Sequence, residues 1–444
     1  MDFLGLMSGA GGLLWTVVSF IVALSVIVAV HEYGHYIIGR LTGIHAEVFS
    51  LGFGPVIASR VDRRGTKWQL AALPFGGYVK FLGDADASSR RDEGAMTALS
   101  AEELRHTMHG APLWARALTV LAGPVFNFLL TIVVFIGVVA WTGVALDKPV
   151  VGSVRALPFE GASLQPGDQV LAVNGIATPD LKAYGAAVSG IGPVTSVIYL
   201  VDRAGAQVEV VGPHPMPPIA ASVQPQSAAM DAGLRADDVI LSANGQAVSS
   251  FAELPPIVEA SQGAPVALKV WRAGETFDLT LTPRRRDLPT ETGFETRWLI
   301  GLSGGLLFEF EARQPGPFET VGLALDQTWY VATTSLSGLW HIATGAISSC
   351  NISGPIGMAE VMGDAARSGI ETFVQMLAVL SLGIGILNLF PIPVLDGGHL
   401  VFHVWEAATG KPPSDRALQV LMSVGLALLL SLMVFALSND LFCA

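Results

Sequence analysis

Residues 31 to 35 read His-Glu-Tyr-Gly-His. On a helix, residues four apart share a face, so His31 and His35 can direct both imidazoles at one zinc ion while Glu32 stands beside it as a general base. The same pattern arises by chance, and then two histidines and a carboxylate simply decorate a solvated helix end. Position separates the two readings. The motif closes an uncharged apolar stretch, Leu13 to Val30. An ionised side chain at bilayer depth costs on the order of 3 kcal/mol or more, so ionisable groups there point to function.

The elements that must carry this motif are membrane elements. Hydrophobic residues make up 51% of the 444, charged residues only 14%, and mean hydropathy is +0.54, values that exclude an ordinary soluble enzyme. Four stretches are long and apolar enough to cross a bilayer: about 12–39, 115–143, 372–395 and 417–436. Gly123-Pro124 interrupts the second and Pro391 and Pro393 end the third, so neither is expected to be straight throughout. No Lys or Arg precedes the first stretch and no small-residue cleavage site follows it, so it is expected to be a retained span, not a signal peptide. The loop after it holds Arg40, Arg60, Arg63, Arg64, Lys67, Lys80, Arg90, Arg91 and Arg105, while both tails lack basic residues. That asymmetry makes the loop cytoplasmic and puts both termini, with the long insert between the second and third spans, outside. A net charge of -12 argues against nucleic acid as a partner. The two cysteines, Cys350 and Cys443, then share the outer side, where a disulfide is permitted but not indicated.

Two histidines leave zinc short of a third protein ligand. His31 lies about 20 residues, roughly 30 Å of helix, below the outer end of its span, close to the inner edge of the hydrocarbon. The third span also enters from outside and reaches Asp396 after about 23 residues, at matching depth. It holds no other internal carboxylate, so depth alone names Asp396. A rival pair, His399 and His403, lacks the embedded glutamate and lies past the expected membrane exit; a helix-end histidine satisfied by backbone or water explains it.

Within the insert, Leu164-Gln-Pro-Gly-Asp168-Gln-Val-Leu171-Ala-Val-Asn174-Gly175 recurs as Leu234-Arg-Ala-Asp-Asp238-Val-Ile-Leu241-Ser-Ala-Asn244-Gly245, 70 residues on. Each copy reads as a short helix or turn, a strand and an Asn-Gly turn. The pattern resembles a bacterial periplasmic PDZ domain, with Ala232-Gly233-Leu234 kept in the second copy and Gly161-Ala162-Ser163-Leu164 in its place in the first. PDZ grooves capture an extended chain as an added strand; the alternative is a pair of domains that fill space or gate access.

H-E-x-x-H in a first span, Asn388-Leu-Phe-Pro391-Ile-Pro393-Val-Leu395-Asp396-Gly397-Gly398 in a later one, and PDZ modules between them resemble the site-2 protease family of intramembrane zinc metalloproteases, most closely its bacterial RseP branch. The resemblance covers nearly the whole chain. It implies that His31, His35 and Asp396 bind Zn²⁺, that Glu32 is the catalytic base, and that Asn388 holds substrate or positions its scissile carbonyl. For Asn388 the alternative is a buried amide bonded to neighbouring backbone. Gly123-Pro124-Val-Phe-Asn127 is similar to a further G-P-x-x-N element of the family, and here a packing role is expected, small residues letting helices approach and a buried Asn bridging them.

From about Val48 to Leu82 the chain reads as strands with a turn at Asp62 to Gly65 and includes Leu73-Pro-Phe-Gly76-Gly77-Tyr-Val-Lys80. This could be a soluble subdomain; the resemblance favours a re-entrant β-loop dipping toward the metal. A transmembrane helix keeps every carbonyl bonded, so none is open to attack until it unwinds. An edge strand through Gly76 and Gly77 could bind the unwound segment by β-addition.

The expected architecture is a multi-pass α-helical membrane protein of about four transmembrane helices, with a re-entrant β-loop and two extramembrane α+β PDZ-like domains. Its parts are an N-terminal membrane region over 1–144, PDZ-like domains over 145–215 and 216–286, an outer-side linker with an amphipathic segment over 287–371, and a C-terminal membrane region over 372–444. The expected activity is zinc endopeptidase cleavage within the transmembrane segment of a bacterial inner-membrane protein. An anti-sigma factor already cut by an external site-1 protease leads as substrate; remnant signal peptides come second. The PDZ domains and both termini are expected on the periplasmic side, the active site near the cytoplasmic face. A membrane PDZ scaffold or chaperone without catalysis is the alternative, and it has no use for Glu32 or Asp396.

Overall fold

The computed structural model describes residues 3–85, 93–97, 99–158, 164–290 and 293–442. Four helical segments are long and apolar enough to cross a membrane: Gly12–Leu41, Leu113–Thr142, Ile370–Asn388 and Arg416–Phe442. Leu13, Leu14, Val17, Val18 and Val22 of the first are exposed, as lipid-facing side chains must be. The chain divides into two compact units, one holding the four spans and the other running over Val139–Thr320 with Ile342–Ser348.

In the membrane unit, helix Pro355–Ser368 packs between the first and third spans, where Ala23, Ile27, Met362 and Leu377 form a buried cluster. Lipid is as apolar as leucine, so burial alone does not hold spans together; close packing and interhelical hydrogen bonds do. Thr131 Oγ1 donates to Ala378 O at 2.9 Å and Ser381 Oγ to Asn127 O at 3.0 Å, which clamps the second span to the third.

The third span is shorter than its apolar stretch. Its helix ends at Asn388, seven residues before the expected limit, and Asp396 opens a separate helix, Asp396–Thr409. Pro391 and Pro393 supply no amide donors and disfavour helix at the residues before them, so Leu389–Leu395 runs as turns. A Cβ on Gly397 would sit 2.3 Å from Leu389 O, and one on Gly398 would sit 2.3 Å from Ile392 O. The two glycines after Asp396 let that turn fold back over the new helix.

After the first span the chain forms an antiparallel hairpin, Ala46–Val61 with Lys67–Phe81. Its tip is fixed by Asp62, whose Oδ1 accepts from the amides of Arg64 (2.8 Å) and Thr66 (3.0 Å).

In the second unit the internal repeat becomes two four-stranded sheets of one topology. The first orders Ile176–Ala177, Gln169–Val173, Val197–Arg203 and Ala206–Gly212; the second orders Gln246–Ala247, Val239–Ala243, Val266–Arg272 and Glu275–Leu281. Helices Leu181–Ser189 and Leu254–Ala260 contribute Tyr184, Val188, Leu254 and Val258 to the two cores. The repeated residues turn out to be structural. Asp168 and Asp238 are buried, each accepting a two-pronged guanidinium bond, from Arg203 (2.8 and 2.7 Å) and Arg272 (2.6 and 2.7 Å). Asn174 and Asn244 adopt positive φ, and their Oδ1 atoms accept from the Ile198 and Ala267 amides, both at 2.9 Å. Gly161, Ala162 and Ser163 lie outside the described residues, as does Cys443; Cys350 is not free.

Breaking such a pair leaves a buried carboxylate uncompensated, at a cost of about 3 kcal/mol. Arg272→Ala is therefore expected to lower hydrogen-exchange protection in Val239–Ala243 of the intact protein by about 100-fold; unchanged protection would show the pair to be dispensable. The Arg203 hydrogen bonds hold the Asp168 carboxyl below its ordinary value. Its contribution is thus present above the unfolded carboxylate range and lost as pH falls from there through the lowered folded value.

The stretch 287–371 is not the linker it was expected to be. Strands Leu302–Gly304 and Phe308–Phe310 pair with Ala220–Val223 and Val151–Val154, and Ile300, Leu307 and Phe308 are buried in the two module cores. Each module is completed by chain that returns more than 60 residues later. Sequence periodicity could not show this, because the returning strands are only three residues long.

Candidate metal centre

His31 and His35 project from the first span toward the second, which approaches closely because the crossing is made of glycine. A Cβ on Gly34 would lie 2.5 Å from Ala122 O, and one on Gly123 would lie 2.3 Å from His35 Nε2 and 2.7 Å from His31 Cε1. The Asp396 helix is drawn to the same place by Arg116, at the foot of the second span, which forms a two-pronged bond with Glu406 at 2.6 and 3.0 Å.

The three side chains converge. His31 Nε2 lies 3.1 Å from His35 Nε2, and Asp396 Oδ2 lies 3.2 Å from the first and 3.5 Å from the second. Ligand atoms about 2.0–2.1 Å from a tetrahedral zinc stand about 3.3–3.4 Å from one another, so the triangle has the size of three corners of such a site. Asp396 Oδ2 is buried without a hydrogen bond, the state of an atom reserved for another partner. Among the described residues this is the one group of three or more His, Cys, Asp or Glu side chains close enough to share a metal. His399 and His403 do not join it. With side chains 12%, 13% and 18% exposed, the three groups are shielded yet reachable.

Both imidazoles are oriented from behind. His35 Nδ1 donates to Thr119 O at 2.8 Å, which leaves its Nε2 lone pair for the metal. His31 Nδ1 lies 3.3 Å from the buried Asn127 amide, whose Oδ1 otherwise lacks a partner. The amide ends are alike in size, and turning this one over makes Oδ1 the acceptor for His31 Nδ1–H, the protonation that leaves His31 Nε2 free for a metal. Asn127 is thus more than the packing residue expected. The signal was available: an Asn four residues after Gly123, on the helix face that crosses the motif. Removing such an outer partner typically costs 10–100-fold in metal affinity. Asn127→Ala is expected to release zinc to a chelator at about 10–100-fold lower chelator concentration; an unchanged titration would reduce it to packing.

Glu32 sits beside the hairpin. A Cβ on Gly77 would lie 3.1 Å from Glu32 Cγ, 3.0 Å from Val28 Cγ1 and 2.8 Å from Ser50 O, so strand Lys67–Phe81 passes at the level of the motif in a place only glycine allows. Gly76 has φ 133°, with the Phe53 ring where a side chain would stand. Asn388, the last residue of the third-span helix, is partly exposed, and its side chain has no hydrogen bond among the described residues, against the alternative of a backbone-tied amide.

Comparison with known proteins gives this geometry a family. The model of peptidase family M50 matches residues 19–432. The chain belongs to peptidase family M50. Among similar proteins, one carrying a zinc metalloprotease name in Agrobacterium fabrum is 34% identical over 98% of both chains. The regulator of sigma-E protease of Salmonella typhimurium is 34% identical over 96% of this chain and 98% of its own. As an M50 member the protein is an intramembrane zinc metalloprotease of the site-2 type, acting in regulated intramembrane proteolysis.

Proposed function

We propose that His31, His35 and Asp396 hold the zinc, that Glu32 moves the proton, and that the substrate is the transmembrane segment of a bacterial inner-membrane protein. The ligand triangle carries this reading. Zinc bound there supplies Lewis-acid activation of water and of the scissile carbonyl. Glu32 takes the proton of the attacking water and returns it to the leaving amine nitrogen. Asn388, at the end of its helix, donates to the developing oxyanion or holds the substrate backbone, a role its side chain, without a hydrogen bond among the described residues, is free to take. Membrane proteins that accumulate beside a Glu32→Gln chain but not beside the unaltered one identify the substrates; identical sets would remove the reading.

The hairpin serves as a re-entrant β-loop, its strand at Gly76 and Gly77 pairing with the unwound substrate. Proline lacks the amide that such pairing needs. Val79→Pro, at a residue whose amide, like that of Phe81, points away from the paired strand Ala46–Val61, is expected to cut proteolysis about tenfold or more while accumulation and zinc content fall far less. Equal losses in all three would show only a folding defect.

The basic residues of the hairpin loop support an orientation with the active site toward the cytoplasm and the repeat unit in the periplasm. The repeat modules act as PDZ domains, chiefly gating access so that a first external cut precedes this one. Similarity to a regulator of sigma-E protease makes a membrane anti-sigma factor the leading substrate.

A further inference from the structure

A cleft of about 630 Å³ opens between the hairpin and the first span. Its helical wall is Ala29, Val30 and Tyr33, which at 3.6 residues per turn lie on the side of the helix away from His31 and His35. This is therefore not the metal site. The body is apolar, with Leu51, Leu70 and Trp68, whereas one end presents Arg60.

That end lies at the inner limit of the span. Asp62, two residues from Arg60, accepts from Tyr36 at 3.3 Å and pairs with Arg40 at 3.7 Å. Ala29 is 11 residues back along the helix from Arg40, about 16 Å deeper in the hydrocarbon. The cleft thus runs from the bilayer interior to its surface, apolar below and cationic above. The rim charge is uncompensated: Arg60 has no ion pair among the described residues, nor have Arg63, Arg64 and Lys67 of the adjoining turn, and Asp62 pairs with Arg40.

We infer that this cleft binds one anionic phospholipid, an acyl chain lying against Ala29, Leu51 and Leu70 and the headgroup phosphate meeting Arg60. A transmembrane helix, about 10–12 Å across with its side chains, is a poor occupant for so small a cleft, and it brings no charge to the rim. Four unpaired cations at a membrane surface select an anionic headgroup. The bound lipid braces the hairpin whose Gly77 strand stands beside Glu32.

Trp68 lines the cleft and reports on it. The full chain in detergent micelles is titrated with phosphatidylglycerol or phosphatidylcholine brominated in the acyl chains. Quenching of Trp68 is taken as the difference between the unaltered chain and Trp68→Phe. Phosphatidylglycerol is expected to quench at a mole fraction about fivefold or more below phosphatidylcholine. Arg60→Gln should abolish the preference, and Ala58→Phe, which fills the apolar body, should abolish quenching by both lipids. Ala58→Leu serves if the phenylalanine variant fails to accumulate. Equal quenching by the two lipids, a preference surviving Arg60→Gln, or quenching surviving in the filled cleft would each overturn the assignment. So would relief by millimolar inorganic phosphate, which would indicate an anion site without a chain, or by a transmembrane substrate peptide, which would indicate a substrate groove.

Discussion

Purified Glu32→Gln protein is expected to keep its full zinc content and lose cleavage of a transmembrane substrate by about 10²–10⁴-fold, the usual worth of a positioned acid–base group. The reason is a division of labour. The triangle of ligand atoms is formed by His31, His35 and Asp396, with Glu32 outside it, so glutamine leaves the metal site intact and of nearly the same shape. What it removes is the carboxylate that accepts a proton from water and delivers it to the amine. Loss of zinc together with activity would make Glu32 a ligand or a structural prop. Retained activity would return the protein to the non-catalytic scaffold reading, at odds with its family.

Asp396→Ala is expected to do the opposite, releasing zinc and abolishing cleavage together. Even an outer hydrogen-bond partner is worth about 10–100-fold in metal affinity, so removal of a ligand should exceed about 100-fold. The variant should still accumulate, because the Arg116–Glu406 bond and the close packing of Gly397 and Gly398, not the Asp396 carboxylate, seat the helix that bears it. Zinc content after chelator challenge, read beside substrate cleavage, checks both parts. Full zinc retention in Asp396→Ala would mean that the third ligand lies elsewhere.

Depth named the carboxylate that the structure brings to the two histidines, though by a path the chain does not follow. It carried Asp396 down one continuous span, whereas the helix stops at Asn388 and a proline-broken turn delivers Asp396 at the start of the next. The choice survived because membrane depth depends on chain length from the surface, and seven residues of turn add little to it. The boundary of the insert fared worse. Its repeats were plain in the spacing of Asp168 and Asp238, yet the short strands that close both modules, Leu302–Gly304 and Phe308–Phe310, carry too few residues to show a period.

By itself the sequence determined the spans, the metal motif, the repeat and Asp396 as the carboxylate that meets the motif, because each depends on residue type and spacing along the chain. Only the tertiary structure decided what orients the ligands. Asn127 behind His31, Thr119 O behind His35, Gly77 against Glu32 and Arg116 on Glu406 are contacts between segments 45 to 290 residues apart. Spacing along one element fixes which side chains share a face. Which distant backbone closes on that face depends on where a missing Cβ or a buried hydrogen bond lets two elements meet, and no local period records that.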